Sequence, residues 1–140
     1  MLTITKDNKA RYAADKGDSS QKFKIYQNNG TYAFVVESSN AGLCIAQDGV
    51  NNGAEVIASP SQSASSWFAL DKCTQGVWAN KGHIIKTHTK KHAVDLTSDT
   101  TPEGNKIVIW ETHGNPNQVW IIAPWSEPPK NNQQGFQPNI

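Results

Sequence analysis

Gly104-Asn105-Lys106-Ile107-Val108-Ile109-Trp110, followed after a short polar loop by Asn117-Gln118-Val119-Trp120, is the stretch of this 140-residue chain that decides its fold. Residues in a strand alternate between two faces, so Ile107 and Ile109 turn inward while Trp110 ends the run facing out. The same alternation spreads outward through short runs: Thr3–Thr5, Phe23–Tyr26, Tyr32–Val36, Glu55–Ala58, Trp67–Leu70, His83–Lys86, Ala93–Leu96 and Val119–Ile122. Turn formers separate them at Asn28-Asn29-Gly30, Asn51-Asn52-Gly53, Pro102-Glu103-Gly104 and Gly114-Asn115-Pro116-Asn117. The one helix-compatible window, Tyr12 to Lys16, is too short to count. The chain reads as all-β.

A period underlies these runs. Gln118-Val119-Trp120 and the two isoleucines after it are echoed by Gln21-Lys22-Phe23 with Lys-Ile, and by Ser65-Ser66-Trp67 with Phe-Ala-Leu. Starts at 21, 65 and 118 each close a block of strands. Three blocks are few for a solenoid or propeller but suit a closed three-fold unit, which leaves no long sheet edge exposed.

These residues resemble the signature of the ricin-B-type lectins, with a layout most similar to the Euonymus-type plant lectins. The resemblance runs from about residue 2 to residue 124 and is strongest over residues 82–123. It implies a β-trefoil of three repeats, each ending in a Gln-x-Trp motif, placed here at about 1–29, 30–78 and 79–125. One domain over residues 1–125 is therefore expected, with a polar tail at 126–140.

The first repeat departs from that pattern. The second and third repeats open with Tyr32–Val36 and His83–Lys86, but the chain starts at what reads as the first repeat's second strand. The trefoil is cyclic, so Gly135-Phe136-Gln137-Pro138-Asn139-Ile140 is expected to close the barrel in that place. The alternatives are a partner chain in the gap or a chain cut short. Residues 126–134 read as a polar linker.

The last repeat also carries a binding chemistry. A sugar offers vicinal hydroxyls, which suit a carboxylate and an amide, and a flat C–H face, which suits an aromatic ring. Asp95 is expected to face outward between Val94 and Leu96, Trp110 lies at the end of the next strand, and Asn117 comes from the loop beyond. By resemblance these match the sugar-binding aspartate, aromatic and asparagine of the family. Gln118 then ties the loop down and orients Asp95. Val108 stands where the commonest sugar sites carry a polar Gln, and His113 is the candidate replacement donor. The second repeat has Cys44 and Ala58-Ser59 at the places of Asp95 and Trp110. The first has Thr3 or Thr5 and Ala13-Ala14. One site per chain is expected, with avidity supplied by a homo-oligomer or a fused partner.

Composition excludes several alternatives. Thirteen basic and twelve acidic residues leave a net charge of +1, and 18% of residues are charged, so no global field steers the chain to nucleic acid. Lys81, Lys86, Lys90 and Lys91 read as a solvated edge, lacking interleaved aromatics. No apolar run approaches the ~20 residues of a membrane span. The N-terminus lacks the order of a secretory signal, so a cytoplasmic location is expected, with secretion by a non-signal route as the alternative. Cys44 and Cys73 read as two semi-buried free thiols. His88 and His92 lack a third metal ligand, and Glu103, Glu111 and Asp95 lack the cleft of a glycosidase. Neither an enzyme nor a cofactor is expected. Trp120 is assigned to the core, Trp78 to the barrel mouth or plain packing, and Trp125 to pinning the tail or, again, plain packing.

The resemblance implies galactose or N-acetylgalactosamine glycans, with mannose-type glycans second. The competing class is a β-trefoil that binds protein through its loops, such as a protease inhibitor, using segments 71–82 and 97–105. A trefoil serving a larger enzyme or toxin is a third possibility.

Overall fold

The computed structural model describes residues 1–46, 51–61, 66–97 and 104–125. The expected tail at 126–140, the closing segment 135–140, most of the 97–105 loop and the Pro102-Glu103 turn lie outside the described residues. Ten strands are described: β1 (Leu2–Ile4), β2 (Ala10–Tyr12), β3 (Phe23–Asn28), β4 (Thr31–Val36), β5 (Ala41–Ile45), β6 (Val56–Ser59), β7 (Phe68–Lys72), β8 (His83–Thr87), β9 (His92–Leu96) and β10 (Ile107–Glu111). Two single turns of 3-10 helix, Gly76–Trp78 and Pro116–Gln118, complete the list.

All pairing among the described strands is antiparallel. One sheet runs β10-β9-β8-β7-β4-β5-β6 with β3 on β4, and β1 pairs with β2 beside it. The β3–β4 hairpin turns through Asn29 and Gly30, both at positive φ (51° and 81°). That backbone matches the twist of a two-residue hairpin, and Asn and Gly tolerate it best.

The three hairpins β1–β2, β5–β6 and β9–β10 obey one register. Ile4 faces Ala10, Ile45 faces Val56, and Leu96 faces Ile107. The second member of each pair is completely buried. The hairpins also join one another cyclically: Lys9 bridges to Ile57, Glu55 to Val108, and Lys106 to Arg11. Backbone hydrogen bonds follow the same cycle, Ala58 N to Asn8 O, Ile109 N to Ala54 O, and Tyr12 N to Asn105 O, at 2.8, 2.8 and 3.0 Å. Three equivalent hairpins that close a ring in this way make a β-trefoil. The core lies between hairpin ring and barrel, where Phe34 and Phe68 meet edge to face at 6.1 Å among Val36, Leu43, Val94 and Ile109.

The register corrects one echo. Tyr32 bridges to Phe68 as His83 bridges to Trp120. Phe68 is therefore the counterpart of Trp120 and Phe23, and the second repeat reads Ser66-Trp67-Phe68, one residue later than the spacing of apolar residues suggests. A wholly buried Phe68 and a half-buried Trp67 show why: two adjacent aromatics look alike in a sequence, but only one faces the core. Trp120 is only partly buried, with its indole N–H donating to Val94 O at 3.0 Å. Trp78, expected at the barrel mouth or in plain packing, is 41% exposed in a 3-10 turn that has no buried residue. Trp125 is partly buried under the Lys22 ammonium, 5.6 Å from the ring centre. Cys44 and Cys73 are both free and buried, and burial pushes the Cys44 thiol up.

Phe68→Ala should cost about 3–5 kcal/mol, as filled-core phenylalanines do, against less than about 2 kcal/mol for Trp67→Ala. Chemical denaturation of the two variants checks the order, which the unshifted echo reverses.

Candidate functional site

The β9–β10 register sets the site. Asp95 lies opposite Val108, and Ala93 lies opposite Trp110. Residues directly opposite each other share a face, so Asp95, Val108 and Trp110 project to the same side, away from Val94, Ile107 and Ile109 in the core. Asp95 and Trp110 are diagonal neighbours, a separation of roughly 7–8 Å between such positions.

Sequence alternation places Asp95 on the outer face, and the structure shows that face covered. Asp95 is only 5% exposed because the loop after β10 folds over it. Asn117 Nδ2 donates to Asp95 Oδ1 at 3.0 Å, and Gln118 Nε2 donates to Oδ2 at 2.9 Å. His113 Nε2 lies 3.7 Å from Oδ2. A carboxylate offers about four acceptor positions, so these donors leave it room for one or two more. Burial raises the Asp95 carboxyl above the ordinary aspartate range, although the Gln118 hydrogen bond, the neighbouring His113 and the Asn117 hydrogen bond each pull it down.

Gln118 is wholly enclosed and uses its entire carboxamide. Its oxygen accepts from the backbone N–H of His113 and Gly114 at 2.9 and 3.1 Å, and its nitrogen also donates to Glu111 O at 3.0 Å. It touches no solvent and acts through Asp95 and the loop it holds. Asn117 spends both amide hydrogens, one on Asp95 and one on Leu96 O at 3.2 Å, so only its carbonyl is left for a ligand. His113 Nδ1 accepts from Asn115 N at 3.0 Å, which leaves Nε2 as the donor nitrogen facing Asp95.

Trp110 is 45% exposed. Its support comes from the second repeat, which its neighbours in sequence do not reveal. A Cβ at Gly53 would stand 3.9 Å from Trp110 Cζ3, Gly53 N donates to Ile109 O at 2.8 Å, and Asn52 Oδ1 accepts from Glu111 N at 2.8 Å. Asn51-Asn52-Gly53 carries only a turn signal in the sequence. No spacing links it to a strand more than fifty residues on.

The first repeat repeats the network around a different residue. Gln21 Nε2 donates to Thr3 Oγ1 at 3.0 Å and to Ala14 O at 2.7 Å, and its oxygen accepts from Lys16 N at 2.8 Å. Thr3 rather than Thr5 thus stands in the place of Asp95, and Ala13 in the place of Trp110. In the second repeat the register puts Cys44 and Ser59 there. Among the described residues only the third repeat joins a carboxylate to an exposed aromatic. No group of three His, Cys, Asp or Glu side chains able to hold a metal occurs among the described residues.

No protein-family model matches the chain, and no curated protein sequence matches it. Solved structures do. A designed three-fold symmetric protein, ThreeFoil, superposes with a TM-score of 0.75 at 19% identity over 86% of this chain and 87% of its own. A ricin B-like lectin of Macrolepiota procera in complex with lactose gives 0.73 at 15% identity over 86% and 84%. A Polyporus squamosus lectin bound to a human-type influenza-binding epitope gives 0.65 at 14% identity over 85% of this chain and 42% of its own. At such identities the likeness establishes the β-trefoil fold.

Because burial raises the Asp95 carboxyl, the folded state holds that proton more tightly than the unfolded one. The resulting stability is complete below the unfolded pKa and is lost as pH rises through the raised folded value. Relative to Asp95→Asn, the parent should therefore lose stability as pH rises through and above the ordinary aspartate value, read by chemical denaturation across a pH series.

Proposed function

We propose that this β-trefoil is a lectin of ricin B type that binds a glycan, without transforming it, at one shallow site in its third repeat. The observation that carries the reading is the Asp95–Trp110–Asn117 group, held by Gln118 and confined to that repeat among the described residues. Asp95 accepts from sugar hydroxyls, the Asn117 carbonyl accepts another, His113 Nε2 donates, and Trp110 stacks on the C–H face. Val108, 5% exposed, adds an apolar wall where a polar side chain would add a hydrogen bond. The buried network means that the acceptors are set before the ligand arrives, so little ordering entropy is lost on binding.

Galactose or N-acetylgalactosamine is the proposed sugar, with mannose-type glycans as the second choice. The lectin from Macrolepiota procera was solved with lactose, a galactoside, which supports the first. A single weak site gains from assembly, so oligomers on a glycan-bearing surface fit this reading. A protein-binding role has one observation in its favour: Val77 and Trp78 stand 77% and 41% exposed in the segment joining β7 to β8. A cytolethal distending toxin structure from Haemophilus ducreyi also shares the fold, with a TM-score of 0.60 at 14% identity, over 94% of this chain and 87% of its own.

A glycan array probed with the parent, Asp95→Ala and Trp110→Ala separates these readings. Binding to terminal galactosides should fall at least about 100-fold in Asp95→Ala, which loses charge-assisted hydrogen bonds, and about 10-fold in Trp110→Ala. Signals indifferent to Asp95 would remove the site, and capture of a protein lost in Val77→Ser/Trp78→Ser would favour the second reading. Acidification should weaken glycan binding as Asp95 takes up its proton, beginning above the ordinary aspartate value. Affinities measured over the same pH series check it.

A further inference from the structure

The face that carries Asp95, Val108 and Trp110 does not end at the tryptophan. Thr112 N donates to Lys91 O at 3.0 Å, so the β9–β10 ladder runs one pair beyond His92 and Glu111. By strand alternation Lys91 and Thr112 continue that same face. Thr112 lies four residues beyond Val108, about 13 Å along a strand, with Trp110 midway. That span exceeds a single six-membered sugar ring. At its far end is a hollow of about 570 Å³, lined among others by Asn51, Asn52, Lys90, Lys91, Glu111 and Thr112. Two repeats build it. The second supplies the turn at 51–53, tied down by Glu111 N donating to Asn52 Oδ1 and by Gly53 N donating to Ile109 O, both at 2.8 Å. The third supplies the β8–β9 turn and the end of β10.

Its lining offers donors and acceptors side by side. Among the described residues neither the Lys91 ammonium nor the Glu111 carboxylate has an ion-pair partner. Asn52 spends its oxygen on Glu111 N and keeps two amide hydrogens to give. Thr112 donates its hydroxyl to Lys90 O at 3.3 Å and keeps its lone pairs. The charge is mixed rather than cationic. Lys90 lies 4.0 Å from Asp71, which also holds Lys86 at 2.6 Å, and Lys91 shares the lining with Glu111. A carboxylate or sulfate brought here would meet Glu111 as well as the lysines, whereas hydroxyls can use both signs.

We propose that this hollow is a second subsite, which takes the next, uncharged sugar of a glycan whose first sugar lies against Asp95 and Trp110. The inference rests on the lectin reading of the third repeat and carries it across a repeat boundary. The exposed Trp110 is the ridge between the two subsites. On its far side Lys91 and Asn52 donate to the second sugar's hydroxyls, and Glu111 accepts from them. The second repeat, which pairs no carboxylate with an aromatic of its own, thereby helps to select the length of the glycan.

Calorimetric titration of the full chain with methyl β-galactoside, methyl α-mannoside and neutral di- and trisaccharides extended from each tests this. The best neutral extension should tighten binding about tenfold over its monosaccharide, the worth of one or two net hydrogen bonds. In Lys91→Met/Glu111→Gln, two substitutions at exposed positions, that gain should shrink to less than about threefold while monosaccharide affinity holds. No gain in the parent overturns the subsite, and a gain undiminished in the variant overturns its placement here. Extension by a sialic or uronic acid that tightens binding more than the neutral sugar overturns the uncharged class. Monosaccharide binding that is lost in Asp95→Ala but never improved by extension removes the subsite and leaves the lectin reading standing. Failure of every sugar in the series to bind removes both.

Discussion

The carboxamide of Gln118 makes four hydrogen bonds without reaching solvent, and the site's architecture hangs from it. Two hold the backbone of the loop after β10, one ties that loop to the end of β10, and one fixes Asp95. A buried amide leaves no acceptable half-satisfied state, since each lost partner costs about 1–3 kcal/mol. Glutamine has the length and the two-sided chemistry to bind loop and strand at once. The same logic is visible in the first repeat, where Gln21 holds a loop to Thr3 and Ala14.

Structure and chemistry are therefore separable within one motif. Gln21 and Gln118 do the same folding work, but only the residue beneath Gln118 is ionisable. A threonine in place of the carboxylate in that cell keeps the trefoil and its buried amide network but carries no charge. The second repeat goes further, with buried Ser66 in place of glutamine and Cys44 in place of aspartate. Among the described residues, these differences leave a three-fold architecture with a carboxylate beneath the closing loop in the third repeat alone. The charge is tolerated because two amides surround it, and it stays near the surface because a loop rather than a strand covers it.

Strand alternation, turn residues and the echo of Gln-x-Trp made the all-β class and the three-fold period legible in the sequence. Asp95, Trp110, Asn117, His113 and Gln118 were legible as well, because they fall within one repeat and local register brings them together. Less was readable wherever two repeats meet. The shift of the second echo from Trp67 to Phe68 depended on which aromatic met Tyr32 across the barrel. The support of Trp110 by Asn52 and Gly53 joined residues that no local period relates.

By itself the sequence determined the period and the face that Asp95, Val108 and Trp110 share, because side-chain alternation within a strand is a local property. Tertiary structure alone decided the surroundings of those residues. It buried Asp95 under a loop, exhausted the donors of Asn117 and left Trp110 open against a turn from another repeat. Each depends on contacts between segments far apart in the chain. Their distances are set by closure of the barrel rather than by any neighbouring residue.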